Sequence, residues 1–329
     1  MRGLRVPSVL LSNPCLLSVL DRFRPVFEHY HIDLIVVPNV QEHMEEHDLL
    51  PFAGQFDGVI CGDDRFTARV LEQCAPRLKV ISKWGTGIDS IDQQAASRLG
   101  IQVCNTPNAF TLPVSDSVLA YMLAFARRQP WMDKAMKNGL WDKISGRSLS
   151  ECILGVVGIG NIGKAVIRRA RAFGMKLLGN DIAQIARDFI IENGVEMVSL
   201  KELVSRADFV SLNCNLNPTS FHLINSETLR WMKPGAVLIN TARGPVVDQS
   251  ALITALQDGG IAGAAMDVFD FEPLPADSPL LKMENVMLAP HNSNSSPAAW
   301  ENVHWNTIRN LLEGLAIPCT DLDSLRVTI

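Results

Sequence analysis

The chain has 329 residues, more than one compact core usually supports, so its length suggests two domains. With 47% hydrophobic and 20% charged residues, it has the makeup of a packed α/β protein rather than a mostly disordered one. A net charge of −5 without a long Lys/Arg run argues against a nucleic-acid partner, and no apolar stretch is long enough to span a bilayer.

The first segment, MRGLRVPSVLLSNP, has an apolar stretch too brief and too broken by Pro and Asn for a signal peptide, and SVLL reads as a buried strand. The seven cysteines (Cys15, Cys61, Cys74, Cys104, Cys152, Cys214 and Cys319) are scattered and form no C-x-x-C pair. They read as reduced thiols of a cytoplasmic protein. After SVLL, further strand-like runs follow at DLIVV (33–37), DGVI (57–60), KVIS (79–82) and IQVC (101–104). Helical patterns from Arg65 to Gln73 and from Ile91 to Leu99 lie between them, a βαβ rhythm that implies a parallel sheet. His29 and His31 flank a strand start and read as structural. The stretch His43-Met44-Glu45-Glu46-His47 matches an H-x-x-E-H zinc signature but is bounded by Pro38 and Pro51 and lacks a third ligand. It is expected to be a solvated acidic helix, and no metal site is expected.

Near NTPNAFTLP the character changes, and a domain boundary is placed there. SDSVLAYMLAFARRQ follows, with apolar residues at helical spacing and basic residues in its last turn. From Val114 to Arg127 this helix is too hydrophobic all round to leave a face in water, which points to a homodimer interface. A second rhythm then runs through CILGVVGIG, KLLGND, DFVSLN, AVLINTA, AGAAMDV and VMLAP, six runs, the number expected of a dinucleotide-binding sheet. The tail from about Ser293 carries one helical stretch, Ala298 to Leu315, and is expected to pack back on the first domain.

Gly158-Ile159-Gly160-Asn161-Ile162-Gly163 is a G-x-G-x-x-G placed between a strand pattern and a helix pattern, KAVIRRARAFG. At such a turn glycines let backbone amides approach a pyrophosphate, and the helix N-terminus offers free N–H donors. Asp181, eighteen positions after Gly163 at the end of the next strand, can accept the ribose hydroxyls. Its charge would repel a 2′-phosphate, and GNDIAQI has no arginine to receive one, so NAD is favoured over NADP.

Hydride delivery to a 2-oxo acid needs a cation for the carboxylate, a proton donor for the developing alkoxide, and a group to orient that donor. NTARG carries Arg243, DVFDFEP carries Glu272 and APHNS carries His291, each just beyond a strand C-terminus, where open parallel sheets bind ligands.

With KWGTGIDSID, NTPN, GVVGIGNIGKAV, DFVSL, LINSETLRWMKPGAVLINTARGPVVD, AGAAMDVFDFEP and APH, the sequence resembles the D-isomer-specific 2-hydroxyacid dehydrogenase family over nearly its whole length. It is most similar to the phosphoglycerate dehydrogenase and hydroxypyruvate/glyoxylate reductase branch. The resemblance implies an α/β fold in which a Rossmann-type doubly wound parallel sheet is inserted into a smaller flavodoxin-like substrate domain, with the active site in the cleft between. On this sequence the NAD-binding domain would be 108–292 and the substrate domain 1–107 with 293–329. A homodimer, a small 2-hydroxy or 2-oxo acid substrate, and neither nucleic-acid nor membrane partners are implied.

Residue by residue, the resemblance assigns Arg243 to the substrate carboxylate and carbonyl, His291 to general acid/base catalysis and Glu272 to holding the imidazole. Asp267 is expected near the nicotinamide carboxamide, with Thr106, Cys214, Thr241 and Ala242 lining the cofactor. Backbone amides around Thr86-Gly87-Ile88 would hold the substrate carboxylate, because glycine permits close approach. Lys83 stands where relatives that bind a phosphorylated substrate carry an arginine; the alternative is a solvated surface lysine.

Two stretches depart from the family pattern: NSNSS follows His291, and Asn213 stands where relatives often carry histidine. The final tail, CTDLDSLRVTI, is short, so a regulatory domain is not expected. An NAD-sensing corepressor of the same fold is the alternative from another class. Formate enzymes pair the histidine with glutamine, and phosphite enzymes carry a lysine where Thr86 stands, so neither pattern fits.

Overall fold

The computed structural model describes residues 5–40 and 42–328. The chain forms two compact units, the first made of residues up to Ala109 together with those from Ser296 onward, the second of Phe110–Ser295.

In the first unit, strands β1 (Ser8–Leu11), β2 (Asp33–Val36), β3 (Gly58–Cys61), β4 (Val80–Lys83) and β5 (Gln102–Cys104) form one sheet in the order β2-β1-β3-β4-β5, every pair parallel. This is the flavodoxin-like order. Helices Ala68–Cys74 and Gln93–Arg98 bring Val70, Leu71, Cys74, Ala95 and Ala96 into a core with Leu10, Val59 and Ile81. Both helices start later than their apolar pattern, because Thr67 and Asp92 cap them, accepting from the amides of Val70 and Ala95. Helix Pro297–Gly314 packs on β3, β4 and β5, and the Ser82 hydroxyl donates to the Thr307 carbonyl at 2.7 Å. The fit is close enough that a Cβ on Gly58 would lie 2.7 Å from Leu311.

The second unit holds β6 (Ile153–Val157), β7 (Lys176–Asn180), β8 (Val195–Met197), β9 (Phe209–Leu212), β10 (Val237–Asn240), β11 (Gly263–Met266) and β12 (Val286–Leu288), in the order β12-β11-β10-β9-β6-β7-β8, all parallel. The six expected runs are strands, and a seventh, β8, joins them at the edge. The order reverses between β6 and β9, which places a ligand crevice at the carboxyl ends of these two strands.

Helix Thr111–Arg127 hides most of its apolar surface inside its own chain. It packs on helix Asn161–Ala172 and buries Val114, Val118, Leu119, Met122 and Phe125 inside its own unit. Its exposed residues are Leu112, Asp116, Ala120 and Arg127, with Leu112 61% exposed.

Candidate active site

After β6 the chain turns at Gly158 with φ +86°, and a Cβ there would sit 2.6 Å from the Cys214 amide. A Cβ on Gly163 would sit 2.1 Å from the Gly158 carbonyl oxygen. Both glycines are therefore required by the turn itself. Gly160 differs: nothing lies within 4 Å of a Cβ built on it, so the protein's own packing does not demand glycine there. Helix Asn161–Ala172 opens at that point without a side-chain cap, and a helix N-terminus is the kind of place that receives an anion.

Asp181 at the end of β7 accepts from the Ile159 amide at 2.5 Å and from the Ala183 amide at 2.7 Å, which holds its half-buried carboxylate against the glycine turn. At the ends of β9 and β10, Asn213 Oδ1 and Thr241 Oγ1 are buried without a hydrogen-bond partner among the described residues. Burial pushes the Cys214 thiol up to about 11, with Asp181 adding to the effect. A glycine open to approach, uncapped helix amides, an aspartate beside them and two orphaned polar atoms on the facing loops fit a dinucleotide. Gly158, Gly160, Asn161, Ile162, Gly163, Asp181, Cys214, Thr241 and Ala242 thus gather at the ends of β6, β7, β9 and β10, whereas Thr106 lies in the first unit.

Fully buried Asn240 ends β10 and fixes the next turn with both ends of its amide: Oδ1 accepts from the Ala242 amide at 3.1 Å and Nδ2 donates to the Arg243 carbonyl at 2.9 Å. Gly244 follows, and a Cβ on it would lie 1.9 Å from the Phe269 carbonyl oxygen. Only glycine lets the Arg243 loop press so closely on the loop after β11. Within that second loop, the Phe269 amide donates to Glu272 Oε1 at 2.8 Å, while Oε2 meets His291 Nδ1 at 2.9 Å. An ionised carboxylate only accepts, so it sets Nδ1 as the protonated nitrogen and makes Nε2 the nitrogen able to exchange a proton. Side-chain exposure of 18% for His291 and 17% for Glu272 keeps the pair mostly out of water yet within reach of a small molecule.

The His291 backbone sits at φ +49°, an uncommon conformation for a residue with a side chain. Its amide donates to the Asp267 carbonyl at 2.8 Å, and the Asp267 carboxylate accepts from the amides of Asn292 at 2.9 Å and Ser293 at 3.0 Å. Asp267 is 1% exposed, so its observed contacts hold the NSNSS turn that carries His291. Behind it, burial pushes the Tyr121 hydroxyl up to about 12, with Asp267 contributing and a bond to Ser293 opposing.

In the first unit, Thr86 is exposed and its loop is tied down: Thr86 Oγ1 donates to the Thr106 carbonyl at 3.0 Å, and the Thr106 amide to the Gly85 carbonyl at 2.8 Å. Among the described residues the amides of Thr86, Gly87 and Ile88 make no backbone hydrogen bond, which leaves them for an anion. Lys83 corrects the alternative of a solvated lysine. It is 5% exposed and pairs with Asp63 Oδ1 at 3.2 Å. The H-x-x-E-H stretch does not form the expected helix either: the helical residues begin at Glu46, and His43 lies before them with Nε2 2.9 Å from Glu45. Sequence reasoning passed over Asn240, Gly244 and Asp63. The Asn-Thr-Ala turn carried a signal for the first, since asparagine bonds its own backbone two residues on.

Residues 119–293 match the D-isomer specific 2-hydroxyacid dehydrogenase, NAD binding domain family. A glyoxylate reductase of Korarchaeum cryptofilum is 44% identical over 239 residues, 71% of this chain and 71% of that protein. A D-3-phosphoglycerate dehydrogenase of Methanocaldococcus jannaschii is 41% identical over 244 residues, 73% of this chain but 46% of its own length. The crystal structure of D-lactate dehydrogenase from Aquifex aeolicus, complexed with NAD and lactic acid, is similar with a TM-score of 0.81 at 27% identity, covering 94% of this chain and 97% of that one. No helix among the described residues is long and apolar enough to cross a membrane. By the match across its second unit and the identity to its relatives, the chain belongs to the D-isomer-specific 2-hydroxyacid dehydrogenases, NAD-dependent oxidoreductases.

Proposed function

We propose that the chain reduces C2 of a short 2-oxo acid, with His291 as proton donor, Glu272 as the group that orients it, and Arg243 as the cation for the substrate's carboxylate and carbonyl. The observation that carries this assignment is the 2.9 Å bond from His291 Nδ1 to Glu272 on a loop pressed by Gly244 against the Arg243 turn. NAD, when bound, supplies or takes up the hydride. Gly160, the first amides of helix Asn161–Ala172 and Asp181 would hold its phosphates and ribose, with Asn213, Cys214, Thr241 and Ala242 along its length. The first unit is the substrate-binding part, where the amides of Thr86, Gly87 and Ile88 take the carboxylate. The glyoxylate reductase name of one relative supports a two- or three-carbon acid, and the relatives named here carry enzyme names rather than corepressor names. The test is NADH oxidation with glyoxylate, hydroxypyruvate, pyruvate and 2-oxoglutarate: turnover with one of the first three, abolished by Arg243→Ala, is expected. Absence of turnover with all four defeats the assignment.

The Asp181 carboxylate favours NAD over NADP. A homodimer is supported by a segment outside helix Thr111–Arg127: Met136, Leu140 and Trp141 are 50%, 52% and 80% exposed. A cytoplasmic setting is supported by the seven free cysteines.

A further inference from the structure

Lys83, the last residue of β4, stands three positions before the Thr86–Ile88 amides. Resting on the oxidoreductase function proposed above, we infer that Asp63, by holding Lys83 in a buried ion pair, excludes phosphorylated acids and makes this an enzyme of short unphosphorylated 2-oxo acids.

Three observations within the first unit carry this. The lysine side chain is 6% exposed and its ammonium lies 3.2 Å from Asp63 Oδ1, so its charge is already matched and its reach is spent inside the fold. Strand register explains why: Lys83 is the direct partner of Cys61 on parallel β3, and Asp63 lies two residues past Cys61, at the end toward which Lys83 extends. A second carboxylate is close, since Glu42 and Asp63 bring oxygens within 4.8 Å of each other. Burial pushes the nearby Cys15 thiol up to about 11, with Glu42 adding to the shift and Lys83 opposing it.

The ammonium is therefore already engaged by a carboxylate of its own unit. A phosphate dianion drawn to Lys83 would have to break that pair and meet the Asp63 carboxylate as a like charge, which costs more than a single lysine contact returns. A lysine also lacks the forked donors that would let it serve Asp63 and a phosphate together. A substrate hydroxyl, in contrast, can donate to a carboxylate, so an acid ending in –CH2OH is compatible with this surface and its phosphate ester is not.

The experiment compares kcat/KM with NADH for hydroxypyruvate and for hydroxypyruvate 3-phosphate, with glyoxylate as the control that carries no third carbon. The wild type is expected to favour hydroxypyruvate by at least about tenfold. Asp63→Asn keeps the shape, removes the charge and frees Lys83, and should narrow that ratio by about fivefold or more, while Asp63→Glu should restore it. Asp63→Ala serves the same comparison if the asparagine variant does not fold, and the wild-type ratio needs no variant. A wild type that prefers the phosphate ester, or a ratio indifferent to loss of the Asp63 carboxylate, overturns the inference while leaving the oxidoreductase function standing. Failure to reduce glyoxylate, hydroxypyruvate and the ester alike overturns that function and this inference with it.

Discussion

Glu272 uses its two oxygens for different purposes, one to close its own turn through the Phe269 amide and one to orient the His291 imidazole. Replacement by glutamine keeps an acceptor for the turn but lets the amide present a donor to Nδ1, which favours the wrong tautomer. Glu272→Gln is therefore expected to lower kcat by about tenfold or more with NADH affinity retained, and stopped-flow fluorescence of NADH binding beside steady-state turnover checks both halves. His291→Ala removes the proton donor itself and should cost on the order of 10²–10⁴-fold in turnover; near-normal turnover would mean that the proton comes from another group. Asp181→Ala should weaken NAD more than NADP, seen as a fall of about tenfold or more in the ratio of their kcat/KM values. A ratio that does not move would place the ribose elsewhere. These residues were legible in the sequence because their chemistry needs particular side chains at fixed offsets from strand ends. Lys83 was not, since the burial of a charge depends on its partner, and Asp63 lies twenty positions away, just past the end of the neighbouring strand.

The loops after β10 and β11 behave as one element, welded where Gly244 leaves no room for a side chain. Gly244→Ala would force a methyl group to within 1.9 Å of the Phe269 carbonyl oxygen, so one of the loops must move. A loss of about 3 kcal/mol or more in stability is expected, together with a drop in turnover, because Arg243 and Glu272 lie on opposite sides of that contact. Thermal unfolding and kcat measured on the same preparation decide it; unaltered values in both would show the contact to be slack. The helix Pro297–Gly314 gives a pH prediction. Burial lowers His304 to about 4, and its Nδ1 accepts from Trp84 Nε1 at 3.0 Å, so the folded state keeps it neutral while the unfolded chain protonates it near its ordinary value of 6.5. The unfolded state then binds the extra proton, and the stability this histidine contributes is full above pH 6.5 and is lost as pH falls toward 4, about 3 kcal/mol in all. His304→Gln should lose less stability than the wild type between pH 7.5 and 5 in urea titrations, and equal losses would refute the assignment. Eleven strands and the glycine turn could be read from apolar runs. Strand β8 could not, because only Val195 of its three residues is buried, so it shows no such run.

At the scale of the whole molecule, the hydrophobicity of helix Thr111–Arg127 pointed to a partner chain, and the structure buries most of that surface internally, in part against helix Asn161–Ala172. Periodicity reports how much apolar surface a helix must hide and is silent on whether its own chain hides it. The exposed Met136, Leu140 and Trp141 now carry the expectation of a homodimer, and light scattering at micromolar concentration should give twice the mass of the 36.2 kDa chain. Trp141→Ser should shift the mass toward the monomer; a wild type already monomeric would exclude the dimer. The path of the chain has a consequence in time. β3, β4 and β5 are covered by a helix that begins only at Pro297, after the whole of Phe110–Ser295 has intervened. On a ribosome adding about 5–20 residues per second, the face of the first sheet waits on the order of 10–40 s for that helix, whereas the second unit, continuous in sequence, needs nothing that comes after it. The part of the protein that is made first is the part completed last, and during that interval its uncovered strands are the surface a chaperone would meet.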